Sequence, residues 1–469
     1  MKKKLFLAGL CMSCMLFSCT QPRTGVVRIA PAPEGEPLNV DFNVTVDGQT
    51  LPVFNARVGA VERIVRDKSL LDRGQSIYEL TAYGYFEMEG SVSVKVTHRE
   101  DIRTVKILPS SAGISATVSG RTATFTLDRP RYLTVEINGD IFHSLHLLAD
   151  APETDIPDKN SPDVIFFEPG VHEITHLELT DNQTLYISPG AIVRAAVQPP
   201  GPYPPVVLLK GKNIRVCGRG VLDASLSPLH TRSVIRAEDC ENVRIEGVIL
   251  HDSPGWTVPI DNSEHVLVKN LKLFGYRANS DGIDICGSKH VEVAECFLRT
   301  MDDLVVIKTK FGKSAAEDIR VHGCVLWNQS AHVLSIGAEL RQDVSNIVFE
   351  DCDVIHDIGR EWTLRIYHCD KALVSNIRFE NIRVEESVRL ISLWIDSAVW
   401  SRDAERGHIR NVTFKNIHAF GEPMTVELKG YDKDHAIENV TFENVTRYGK
   451  PLTREVVKMN EFVENVSFR

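Results

Sequence analysis

Three nine-residue segments, HVEVAECFL (290–298), DIRVHGCVL (318–326) and NIVFEDCDV (346–354), follow one another at an interval of 28 residues. In each, apolar residues stand at the second and fourth positions and again at the seventh and ninth. Two short stretches of period two therefore flank a corner. The same weak motif extends both ways, as NVRIEGVIL, HVLVKNLKL, NIRFENIRV, NVTFKNIHA and NVTFENVTR. Its first apolar residues are Ile214, Val243, Val266, Val291, Ile319, Ile347, Ile377, Val412, Val440 and Val466, mostly about 28 apart. A regular interval of this size is the mark of a stacked repeat array.

The corner position holds Gly247, Asn270, Glu295, Gly323, Asp351, Asn381, Asn416 and Asn444. Gly, Asn and Asp best tolerate the left-handed backbone that a one-residue corner demands. The next position holds Val248, Leu271, Cys296, Cys324, Cys352, Ile382, Ile417 and Val445, so the cysteines alternate with Ile and Val and read as small core hydrophobes. Short stacked strands with no helical stretch between them describe an all-β, right-handed parallel β-helix over 160–469. Leucine-rich repeats would need a helix-permissive return, and propellers need four strands per repeat. Residues 26–155 instead alternate apolar and polar positions between turn signals, in NVDFNVTVDG, GSVSVKVTH, TATFTLDR and YLTVEING. That pattern predicts a small antiparallel β-sandwich domain, expected to cap the bare edge of the first coil.

The chain of 469 residues carries a net charge of −10, which argues against a nucleic-acid partner while leaving room for a local basic groove. Three lysines precede an apolar run too short to span a bilayer, so residues 1–19 read as an export signal. Its end, Leu16-Phe17-Ser18-Cys19, resembles the bacterial lipobox, which implies lipidation of Cys19 and a surface or periplasmic protein tethered to the outer membrane.

The stretch NSDGIDICGSKHVEVAECFLRTMDDL (279–304) carries Asp281 and the pair Asp302 and Asp303. Counted from each unit's first apolar residue, these acids, His332, Arg365 and Tyr367 all follow the two-strand motif on successive coils. They are expected to share one flank, with Trp256 and Trp394 above and below as stacking surfaces for sugar rings. A single acid on a turn reads as a solvated group. Three in phase with a His and an Arg read as the acid and base of glycoside hydrolysis, because neighbouring carboxylates cannot all ionise and one is pushed toward a proton donor.

Here the sequence resembles glycoside hydrolase family 28, the polygalacturonase and rhamnogalacturonase family. Asn279-Ser280-Asp281, Asp302-Asp303, Ala331-His332-Val333 and Arg365-Ile366-Tyr367 follow the order of that family's N-T-D, D-D, G-H-G and R-I-K signatures, with SPGW (253–256) upstream. The resemblance implies Asp302 as general acid, with Asp281 and Asp303 activating a water and inverting the anomeric carbon. His332 would tune the acid's protonation or orient the sugar, Arg365 would grip the substrate, Asn279 would position a sugar or Asp281, and no metal or cofactor would be needed. Inversion sets an expected carboxyl separation of roughly 6.5–9.5 Å. Ala331, Val333 and Tyr367 depart from the pattern, and Tyr367 replaces a lysine that would read galacturonate. PGVH and LYISPGA are also similar to dextranase family 49, which keeps a neutral glucan in view as substrate. Two further readings remain: a pectate-type lyase using Ca²⁺ among the acids, and a β-helix that only binds glycans. Asp284 reads as structural, and the oligomeric state stays open.

Overall fold

The computed structural model describes residues 25–60, 78–197, 201, 203–421 and 424–469. The signal segment and Cys19 lie outside them. Residues 164–468 wind into a parallel β-helix. One ladder of eleven strands runs from Leu177–Leu179 to Lys458–Met459, one strand per coil, and a sheet of twenty-two strands closes the other sides. Along the motif's first strand the register repeats from coil to coil, so Val243, Val266, Val291, Ile319, Ile347, Ile377, Val412 and Val440 stack directly on one another. These side chains fill a continuous interior with the cysteines. Cys296, Cys324 and Cys352 are buried and unpaired there, as their interchange with Ile and Val requires.

The corner residues behave as their side chains dictate. All eight, from Gly247 to Asn444, adopt positive φ. Asn amides then bond along the stack: Asn416 donates to Asn381 at 2.8 Å, and Asn444 to Asn416 at 2.8 Å. A second left-handed ladder, not apparent from the apolar pattern, precedes the motif at Asn213, Asn242, His265, His290, Asp318, Asn346, Asn376, Asn411, Asn439 and Asn465. It turns the chain into the coil as the first ladder turns it within the coil.

The described residues of 26–60 and 78–150 form a five-stranded and a six-stranded sheet packed face to face. Two of the expectations for this unit are corrected. It is not wholly antiparallel, since Leu145–Asp150 runs parallel to Ala82–Glu87. Nor does it sit on the first coil as a cap. Phe54, Val58, Tyr83, Tyr132 and Leu148 pack along the side of the helix against Ile192, Val221, Ile249, Phe274, Phe297 and Trp327. Those outward residues are apolar on coil after coil, so burying the flank outweighs covering one end. Buried polar pairs pin the contact: Lys272 to Asp150 at 2.5 Å, Arg299 to His146 at 2.8 Å and His356 to Glu136 at 2.5 Å.

Asn416→Ala is expected to lower unfolding stability by about 2–3 kcal/mol, combining the left-handed penalty with two lost ladder bonds. Asn416→Gly, which keeps the backbone free, is expected to lose less. Urea midpoints compare the two, and equal losses would remove the backbone from the explanation.

Candidate active site

The site is built on the eleven-stranded ladder, where one residue in two faces outward. Asp281 and Asp284 belong to the segment around Ile283–Cys286. Asp302, Asp303 and Lys308 flank or end Val305–Lys308, and His332 immediately precedes Val333 and strand Leu334–Ala338. Arg365 and Tyr367 lie on Leu364–His368, and Trp394 lies on Arg389–Ile395. Pairing aligns Asp284 with Val306, Val306 with Ser335 and Ser335 with Arg365. Tyr367 aligns with Trp394 one coil on. The shared flank expected of these residues is therefore present.

Asp281, Asp302 and Asp303 each direct a carboxylate oxygen to one point, all within 4.8 Å of one another. This is tighter than the expected separation of about 6.5–9.5 Å. Adjacent coils rise only ~4.8 Å, and the side chains converge instead of splaying. Asp302 is the most open of the three; its oxygens accept the Asn279 amide N–H at 3.2 Å and the Asp303 N–H at 3.0 Å. Asp281 is buried, with Oδ2 3.4 Å from the Lys308 ammonium and no hydrogen-bond partner for Oδ1.

The environments drive these acids apart. Burial and the neighbouring Asp303 push Asp302 up to about 6. Burial, with Asp284 and Asp302 nearby, raises Asp281 well above the ordinary carboxyl range. Asp303 moves down despite its burial, because His332 lies against it. The imidazole Nδ1 is 2.6 Å from Asp303 Oδ1, and the His332 backbone N–H donates to the same oxygen at 3.1 Å. On its other edge, His332 Nε2 lies 2.9 Å from an Arg365 guanidinium nitrogen, and that same nitrogen pairs with Glu361 at 3.0 Å. The guanidinium stacks over Tyr367 at 4.3 Å and Trp394 at 4.9 Å.

Lys308 stands outside the four motifs. Its buried ammonium bonds Asp284 at 3.0 Å, approaches Asp281 and lies 4.1 Å from the Trp256 ring centre. Asp284, pushed by burial to about 7, thereby joins the cluster from below. The signal was present in VVIK: alternation from Val306 turns Lys308 outward, five residues after the acid pair. Glu361 stands outside the motifs as well. Among the described residues, the three acids form the group whose oxygens converge enough to hold a cation, and Lys308 already delivers positive charge there.

A family model, Glycosyl hydrolases family 28, matches residues 224–464, which include every site residue above. The chain belongs to that family. Among its relatives, the polygalacturonase of Juniperus ashei is 25% identical over 196 residues, covering 40% of this chain and 37% of the relative. The chain spans between 26% and 53% of the length of the curated relatives it matches. By structure, Dex49A from Penicillium minioluteum superposes with a TM-score of 0.65 at 14% identity, covering 94% of this chain and 96% of that one. A hyperthermoactive exopolygalacturonase from Thermotoga maritima gives 0.51 at 20% identity, covering 65% and 83%. These two likenesses concern the fold, and the first extends through the front unit of this family 28 chain.

Lys308→Met is expected to cost about 3 kcal/mol of stability at pH 8, by leaving buried carboxylates without their cation. Asp302 and Asp284 stand at about 6 and about 7 in the fold, against 3.8 for a free carboxyl. The folded chain thus binds more protons across that window, and stability falls as pH rises through it. Removing the ammonium makes their ionisation harder still, so the deficit should be smaller at pH 5 than at pH 8. Asp303, shifted down, completes its titration below this range. Urea unfolding at the two pH values checks the difference, and equal deficits would sink the charge argument.

Proposed function

We propose that the protein hydrolyses a glycosidic bond of a pectic-type polysaccharide or oligosaccharide by general acid and base catalysis. Asp302 protonates the leaving oxygen, while Asp281 and Asp303 hold the attacking water and Asp303 takes its proton. The observation that carries this reading is the opposed protonation of neighbours: Asp302 is raised toward neutrality while Asp303, on His332, is lowered. Acid and base chemistry at one pH requires such a split. The partial exposure of Asp302, against the burial of Asp281, suits a group that must meet the substrate. His332 keeps Asp303 ionised, and Arg365 and Asn279 orient the sugar.

Inversion at the anomeric carbon is part of the proposal. Its support is the four ordered motifs; the oxygens, within 4.8 Å, lend none. Early-time proton NMR of the product decides the configuration, and retention would make one of the acids a nucleophile. The lysine run and lipobox-like Leu16 to Cys19 support export and a lipid anchor on the outer membrane. Radiolabelled palmitate incorporation, lost in Cys19→Ala, tests it.

Asp302→Asn should lower turnover by about 10²–10⁴-fold with folding retained, since the leaving oxygen loses its donor. The wild-type kcat/KM should decline as pH rises past about 6, as the raised carboxyl deprotonates. That limb belongs to the coupled acids together. A variant that keeps most activity on a poor leaving group would reject the assignment.

Substrate preference follows from Tyr367. The family pattern would set Arg and Lys two residues apart as a double cation. Here the second charge is missing and the first is engaged by Glu361. A charge-assisted bond is roughly twice as strong as a neutral one. Polygalacturonate should therefore be a poor substrate, and a mixed pectic or neutral glycan a better one. Tyr367→Lys should raise kcat/KM on polygalacturonate relative to rhamnogalacturonan. Wild-type preference for polygalacturonate, unchanged by the lysine, would defeat this account.

A further inference from the structure

Beside the acids lies a cleft of about 390 Å³, continuous with them through Asn279, whose N–H reaches Asp302. Its floor is Trp256 and Pro259, and its walls carry Arg232, Arg236 and Lys310 against a single acid, Asp261. On a protein of net charge −10, such a basic surface is local and specific. Most of its cations are spoken for. Arg232 donates to the carbonyls of Thr175 and Ala196, Arg236 pairs with Asp261 at 2.7 Å, and Lys308 is locked beneath by Asp284. Lys310 differs. Among the described residues no carboxylate pairs with it, and its ammonium rests on rings, 3.7 Å from the centre of Trp256 and 5.1 Å from that of Phe311.

The opposite flank has the reverse character. Arg365 is matched by Glu361, and Lys429 by Asp396 at 2.6 Å. What remains is aromatic: Tyr367 stands edge-on to Trp394 and Trp400, at 6.1 and 6.5 Å, and Trp400 is half exposed. Rings so arranged favour the apolar face of an uncharged sugar.

From this asymmetry, and resting on the hydrolase reading above, we infer that the substrate is of mixed charge across the cleaved bond. A uronate sits over Trp256 with its carboxylate on Lys310, and an uncharged sugar lies against Tyr367, Trp394 and Trp400. Lys310 is then the residue that determines specificity, supplying from the other side of the acids the charge that Tyr367 lacks. The carboxylate replaces the indole face as partner of the ammonium, leaving the ring to stack on the sugar.

Calorimetry on the Asp302→Asn protein tests this without turnover, using four six-sugar probes: rhamnogalacturonan, its carboxyl-reduced form, oligogalacturonate and isomaltohexaose. Rhamnogalacturonan should bind about tenfold tighter than each of the others. Adding Lys310→Met, which keeps the apolar stem over Trp256, should weaken it about tenfold, and the carboxyl-reduced form less than twofold. Equal weakening of both forms would make Lys310 merely structural. Oligogalacturonate or isomaltohexaose binding as tightly as the mixed probe would overturn the charge asymmetry, as would no binding by any probe. If rhamnogalacturonan binds as expected but the wild type leaves it uncut, the hydrolase reading fails and the binding inference stands.

Discussion

The structure depends on one repeat distance. Parallel strands pair at about 4.8 Å, so each coil sets its side chains almost directly over those of the coil before. Everything else is a consequence of that rise. In the interior, like must stack on like, and Phe349, Phe379, Phe414 and Phe442 do so with nearly parallel rings. On the outer flank the same rise brings carboxylates from consecutive coils into contact whether or not their charges tolerate it. An active site here needs no long loops to gather distant residues. It needs only the right residue at one phase of successive coils.

Because the rise is fixed, the corners must be equally regular. A coil that turned one residue early would shift every outward residue inward, since strand faces alternate with period two. The two left-handed ladders prevent this. Asn serves at most of these positions because it accepts positive φ and also donates its amide to the coil before, so conformation and stacking are secured by one side chain. The few charged corners, such as Glu295 and Asp351, show that the conformation is imposed by the coil and only favoured by the residue.

These properties explain what could be read from the sequence. The interior repeat, the corner ladder, the core cysteines and the alignment of Asp281, Asp302, Asp303, His332 and Arg365 all follow from counting along one coil. The front unit's seat against the helix did not, because it depends on outward residues such as Ile249, Phe274 and Phe297, whose partners lie more than a hundred residues away. The places of Lys308 and Glu361 in the site were hidden for another reason. A lone Lys or Glu carries the same signature on a solvated strand as in a charge network, and only the fold shows Lys308 beneath Asp281 and Glu361 against Arg365. The expected carboxyl separation failed because coil spacing was known while the direction of the side chains was not.

The convergence that broke that expectation also creates an electrostatic problem that the fold must resolve. Four acids, Asp281, Asp284, Asp302 and Asp303, share a volume with little water, and burial alone would raise every one of them. Two groups relieve this, Lys308 by its charge and His332 by its hydrogen bond. Lys308 comes from below and is divided between Asp281 and Asp284, so it lowers the cost of both without fully neutralising either. His332 comes from the side and is committed to Asp303, whose pKa accordingly falls. Among the described residues Asp302 has no cation in direct contact, only the backbone N–H groups of Asn279 and Asp303. Asp281 and Asp284 are raised as well, and Asp302 is the raised carboxyl that has an edge open to the groove. Had Lys308 reached Asp302 instead, the donor would be lost; had His332 been absent, Asp303 would compete for the same proton. Which of the acids is lowered is thus set by the coil on which His332 stands, and so by the same rise that built the helix.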